Sequence, residues 1–161
     1  MTSDKLENLV RIGKLKREPP SASELAGLKR CSSRPWDSPL LGLRDVSLPA
    51  KRSGLSRLAD AECSDLSFES RFDLAYNAAH ALALYALRRM GYRSENRYLV
   101  FQALPHTAGL AVGHSRVLAK AHEKRNLAEY EGYLDQDERL LADVLAATRA
   151  LIDALAGDER Q

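Results

Sequence analysis

Residues 67–91, SFESRFDLAYNAAHALALYALRRMG, decide the fold class of this chain. Phe72, Ala75, Tyr76, Ala79, Ala83, Ala86 and Met90 recur every three or four residues, the spacing of one helix face. Leu82, Leu84 and Leu87 fill the gaps, so the middle of the stretch is apolar on nearly every side. A helix of that kind belongs inside a protein, and the stretch from about Ser67 to Arg89 reads as a central helix. Gly91 ends it, with Arg88 and Arg89 in the last turn, where cations suit the negative end of the helix dipole.

Helical spacing extends to both sides. Before the central stretch it appears at Leu55, Leu58 and Ala61; after it, Ser94 is expected to cap a helix through Tyr98, Leu99, Phe101, Gln102 and Leu104, stopped by Pro105. A loop is predicted from His106 to Gly113. The next helix is predicted from Ser115 through Val117, Leu118, Ala121 and Ala128 to about Glu131, with Gly132 beyond it. A last helix is predicted from Asp135, with Glu138 completing a capping box and apolar positions from Leu140 to Leu155 ahead of Gly157. Near the start, Leu6, Leu9, Val10 and Ile12 predict a short helix within residues 4–16, closed before Glu18-Pro19-Pro20. Ser21 or Ser23 could cap a second short helix carrying Leu25 and Leu28 and ending near Arg30. These are the seams of an all-α helical bundle. The 161 residues fit a single domain without internal repeats.

Residues 31–52 interrupt the pattern. Serines, prolines and Gly42 break any helical period, and a structureless run of this size exceeds the ~12 to 15 residues usual inside a compact domain. The segment reads as an insertion or mobile arm, or as a loop folded back on the core through Trp36 and its neighbouring leucines.

Composition narrows the classes further. With 45% hydrophobic and 29% charged residues the chain is no disordered polymer, and with 6% aromatics its apolar content is mostly alanine and leucine, which favour helix over strand. The longest apolar run, Ala78 to Leu87, is interrupted by His80 and falls short of the roughly 20 residues a membrane helix needs. No membrane partner is expected. Met1 to Lys16 lacks the apolar core of a secretory signal, and Cys31 and Cys63 lie far apart, so a cytoplasmic protein with free thiols is expected. The net charge of +2 hides an asymmetry: residues 1–52 carry 11 Lys/Arg against 6 Asp/Glu, and the larger remainder is slightly acidic. Contact with nucleic acid is therefore expected to be local or to use the N-terminal arm.

Several chemistries are excluded by spacing. His122-Glu123-Lys124-Arg125-Asn126 begins like a zinc-protease helix, but Asn126 stands where the second His is required. None of the four histidines has a Glu three residues before it, which removes the di-iron bundle motif. Neither a Gly-rich phosphate loop nor a nucleophile elbow is present, and neither metal nor cofactor is expected.

What remains is a polar stripe on the penultimate helix. His122, Asn126 and Tyr130 are spaced by four, with Arg125 and Glu129 on the adjacent row. Such a face has two readings: a polar network between helices, or a grip on a phosphodiester in which Arg125 binds phosphate oxygens and the others donate hydrogen bonds. Asn77 and His80, inside the apolar central helix, read as polar groups tying helices together.

Taken together, Ser70-Arg71-Phe72-Asp73-Leu74-Ala75-Tyr76-Asn77-Ala78-Ala79-His80, then Gly91-Tyr92-Arg93 before a Phe-Gln-Ala-Leu helix, then Arg125-Asn126 with an aromatic five residues after the Arg, resemble the HEPN family. The resemblance covers about residues 4–30 and 53–156. It implies an up-and-down four-helix bundle with short accessory helices, usually a homodimer, and in many members a metal-independent ribonuclease of toxin–antitoxin or defence systems. An antitoxin or nucleotidyltransferase partner is part of that implication. The family's catalytic motif is Arg, a polar residue, three variable residues and His. Arg125 and Asn126 fill its first two positions, and Tyr130 stands in place of the His. The resemblance therefore makes Arg125, Asn126 and Tyr130 the candidate catalytic residues, and the spacing of the stripe adds His122 to them as a candidate for binding RNA or phosphate. A tyrosine titrates near ~10 and is a poor general base at neutral pH, so Tyr130 suits binding better than proton transfer. The tyrosine that nucleotidyltransferases modify in some members would fall at Gly132, and Tyr133 is one residue off. The competing expectation is a non-catalytic homodimeric interaction module stabilised by Arg125, Asn126, Glu129 and Tyr130.

Overall fold

Phe68–Arg89 forms one 22-residue helix in the computed structural model, which describes residues 2–19 and 49–158. Ser67 is its N-cap, accepting from the Ser70 amide, and Gly91 leaves the helix at φ +80°, a conformation that glycine adopts without strain. Among the described residues the chain is all-α, with seven helices: α1 Thr2–Arg11, α2 Pro49–Ala61, α3 Phe68–Arg89, α4 Arg97–Gln102, α5 Leu104–Thr107, α6 Val112–Glu131 and α7 Glu138–Asp158. A two-stranded antiparallel ribbon, β1 Lys16–Arg17 and β2 Tyr92–Arg93, joins the N-terminal segment to the turn after α3.

α3 is central, as its all-round apolarity predicts. It packs on α2, α4, α5, α6, α7 and β2, and twelve of its residues are buried, including Phe72, Tyr76, Leu82 and Leu87. α7 covers it with Leu141, Val144, Leu151 and Leu155, all buried. α2 comes so near that a Cβ on Gly54 would lie 2.7 Å from Leu82 Cγ and 3.1 Å from the Ala78 carbonyl oxygen. Any larger residue there must push the two helices apart. Gly54→Leu is expected to lower stability by about 1–3 kcal/mol through overpacking, with Gly54→Ala losing less. An unchanged urea midpoint for Gly54→Leu would show that α2 does not rest on α3 at this point.

Several predicted boundaries move. The first helix stops at Arg11, because Gly13 takes φ +73° and turns Leu15 into the core, leaving Ile12 exposed and Lys16–Arg17 free to pair with Tyr92–Arg93. Pro49 opens α2 in what was expected to be the end of the 31–52 segment, consistent with proline's fitness for a first helical turn. Asn96, rather than Ser94, caps α4, and Pro105 opens α5 rather than stopping a helix. α6 begins at Val112, three residues ahead of Ser115. Asp137 takes the capping role expected of Asp135, its Oδ1 accepting from the Leu140 amide at 2.8 Å, and α7 runs through Gly157 to Asp158. The helix predicted between Ser21 and Arg30, and residues 31–48 of the predicted insertion, lie outside the described residues.

Candidate functional site

Two helices carry matching polar rows. On α3, Asp73, Tyr76, Asn77 and His80 follow one another at three or four residues; on α6, His122, Arg125, Asn126 and Glu129 do the same. The rows meet. Arg125 donates through Nε to Asp73 Oδ1 at 2.9 Å and through Nη1 to Glu129 Oε1 at 2.5 Å, and its guanidinium carbon lies 5.1 Å from the centre of the Tyr76 ring. The Tyr76 hydroxyl is 2.8 Å from His122 Nδ1, and Asn126 Nδ2 is 3.1 Å from His122 Nε2. Asn77 Nδ2 donates to Asp73 Oδ2 at 2.8 Å, so both oxygens of that carboxylate are engaged.

Aromatic rings fill the space below this polar layer. Tyr76 stacks between His122 and His80, with ring centres 5.9 and 6.4 Å away, and Phe101 of α4 meets Tyr76 edge-on at 5.8 Å. Tyr98 closes the side over His122 at 6.1 Å. α4 is placed to supply these rings by its Asn96 cap and by burial of Leu99, Val100 and Phe101.

Burial sets the protonation states. It pushes His80 down to about 4, helped by the charge of Arg97, and it lowers His122 with help from Arg97 and Arg125. It raises the Tyr76 phenol against the opposing pull of Arg97. Burial also opposes the charge on Arg125, but the hydrogen bond and charge of Asp73, with Glu129, outweigh it and hold the guanidinium above its ordinary value. At neutral pH the site thus holds Arg125 clamped between two carboxylates and a second cation, Arg97, beside two neutral imidazoles. Both ring nitrogens of His122 are already engaged.

The structure brings His122, Arg125 and Asn126 together and leaves Tyr130 outside the cluster. Tyr130 is 96% exposed one turn further along α6, near the exposed Leu127 and Tyr133. His80 does link α3 to α4 through Phe101, whereas Asn77 is half-buried and bonds within its own helix. Asp73, Tyr76, Tyr98 and Phe101 belong to the site and were not singled out from the sequence as site residues. The repeat Asp73–Tyr76–Asn77–His80 was the available signal, since it has the same period as the row on α6.

Among the described residues there is no group of three or more His, Cys, Asp or Glu that could hold a metal ion, and no helix is long and apolar enough to cross a membrane. No family model, curated protein or solved structure matches the chain.

Proposed function

We propose that this chain is a HEPN-type, cytoplasmic RNA-binding protein, a homodimer acting in a toxin–antitoxin or defence setting with an antitoxin or nucleotidyltransferase as partner. In this reading α2, α3, α6 and α7 are the four helices of an up-and-down bundle, and α1, α4 and α5 are accessories. One observation carries it: two stretches that bear the family resemblance join side chain to side chain at Asp73–Arg125, 52 residues apart, and the Tyr76–His122 contact lies beside that join. Binding fits the geometry better than cleavage. Tyr130 is free to stack on an unpaired base, as RNA-binding aromatics do, but it is no general base, and His122 holds no free ring nitrogen with which to replace one.

A second reading, the non-catalytic homodimeric module, is favoured by the pairing of Arg125 with two carboxylates and by the exposed Leu127 and Tyr130 on α6 and Tyr133 just beyond it. A two-fold partner would cover that apolar surface. Single-turnover cleavage of a labelled single-stranded RNA, without metal and across pH 5 to 8, separates the two. Wild type is expected to bind weakly and cleave slowly or not at all. Tyr130→His restores the motif imidazole and is expected to raise cleavage, by less than the about 100-fold of a positioned acid–base group because the position is exposed and outside the cluster. Arg125→Ala should remove both binding and gain. If Tyr130→His stays inert while Arg125→Ala leaves RNA affinity intact and yields a monomer mass in light scattering, the interaction module replaces the RNA reading.

A further inference from the structure

The N-terminal arm is the basic part of the sequence, and residues 2–19 of it are among those described. After Gly13 the chain bends, with the Lys14 and Leu15 amides both donating to the Leu9 carbonyl; Leu15 is buried, and its neighbours Lys14 and Lys16 are exposed. β1 pairs with β2 in a register that sets Lys16 directly across from Arg93. Like charges facing each other across two strands repel, and here each is offset by a separate carboxylate. Lys16 Nζ is 2.9 Å from Glu95, and Arg93 Nη1 is 3.1 Å from Glu18. Lys14 makes no ion pair among the described residues. Between these cations and the start of α4 lies a cavity of about 260 Å³, lined by Lys14, Lys16, Arg93, Ser94, Glu95 and Asn96. Three cations and one carboxylate line it, with two neutral side chains able to donate hydrogen bonds.

We propose that this pocket, built by Lys14, Lys16 and Arg93 where the ribbon meets α4, binds a backbone phosphate of single-stranded RNA. The proposal rests on the RNA reading above and assigns to that reading a contact remote in sequence from Arg125. The charge balance separates the two places. At Arg125, two carboxylates already hold the guanidinium; at the ribbon, cations outnumber acids and one of them is unpaired among the described residues. Surface ion pairs such as Lys16–Glu95 are weak and exchange readily, whereas a phosphate offers several acceptor oxygens to all three donors at once. The paired side chains are open to solvent, 68% for Lys16 and 54% for Arg93, so RNA reaches them without movement of the core.

The test is anisotropy of a fluorescein-labelled 20-nucleotide single-stranded RNA against the full chain, from 50 to 300 mM salt. The triple variant Lys14→Ala/Lys16→Ala/Arg93→Ala is expected to bind at least ~30-fold more weakly at low salt. Its log–log salt slope should fall by about 0.7, the contribution of one single-strand phosphate contact. Glu95→Gln, which removes the competing carboxylate, should tighten binding about threefold by relieving that competition. Should the triple variant lack the helical circular dichroism of wild type, Lys14→Glu alone, which breaks no described ion pair, is expected to weaken binding about fivefold through charge reversal. Wild-type RNA binding that none of the pocket substitutions changes in affinity or slope removes the pocket and leaves the RNA reading standing. Failure of wild type to bind RNA at 50 mM salt removes both.

Discussion

Tyr76→Ala is expected to destabilise the protein by about 3–5 kcal/mol, the range for deleting a large buried aromatic side chain. Tyr76 is 1% exposed on the central helix. Its ring is the common neighbour of His80, Phe101, His122 and the Arg125 guanidinium, so its removal leaves a void that rigid helices on both sides cannot fill. Tyr76→Phe keeps the ring and loses only the hydroxyl bonded to His122, for which about 1 kcal/mol is expected. Urea denaturation followed by circular dichroism at pH 7.5 reads both. Equal losses for the two variants would mean that the hydroxyl, rather than the packed ring, holds the α3–α6 seam.

The second large effect is acid sensitivity. His80 faces Arg97 from α4, His122 from α6 and Arg57 from α2, and its folded pKa is about 4 against the ordinary 6.5. Above pH 6.5 the imidazole is neutral in folded and unfolded chains alike, and nothing is lost. Between 6.5 and 4 the unfolded chain takes up a proton that the folded one refuses, so stability falls as the pH falls, by up to about 3 kcal/mol from this group. His122 and His106, also lowered by burial, act in the same direction. Urea midpoints at pH 7.5 and 4.5 should differ clearly, and His80→Gln should flatten the profile whatever its own effect at pH 7.5. A wild-type midpoint independent of pH over that range would contradict a neutral, half-buried His80.

Much of the fold was legible in apolar spacing. The centre of α3, the end of α6 at Gly132 and the body of α7 depend on local signals: an all-round apolar stretch, a left-handed glycine, and leucines at helical period. The remaining features depend on distant partners. β1 is two exposed residues with no alternation of their own, and it exists because Tyr92–Arg93 lies alongside. Pro105 resembles a helix stop in isolation but occupies the first turn of α5, where its missing amide is harmless. The site was half legible for the same reason. The row on α6 could be read from its spacing, including the His122–Asn126 contact. Its other half sits 46 to 52 residues earlier, where Tyr76, a tyrosine among alanines, reads as core. It is core, and its hydroxyl is also the link to His122. Tyr130 shares the helical row of His122 and Asn126, yet by that point α6 has run past the rings of α4, and nothing covers the phenol.

Because α3 touches α2, α4, α5, α6, α7 and β2, none of these can detach without uncovering part of it, and its own amides open only when most of them have gone. Backbone hydrogen exchange is therefore expected to be slowest between Ala75 and Leu87, at rates that report complete unfolding. α1 packs chiefly on the short α5, and its amides should exchange through a smaller, earlier opening. The molecule then has a hierarchy of lifetimes: one long-lived spine, with the N-terminal helix as its most readily released member.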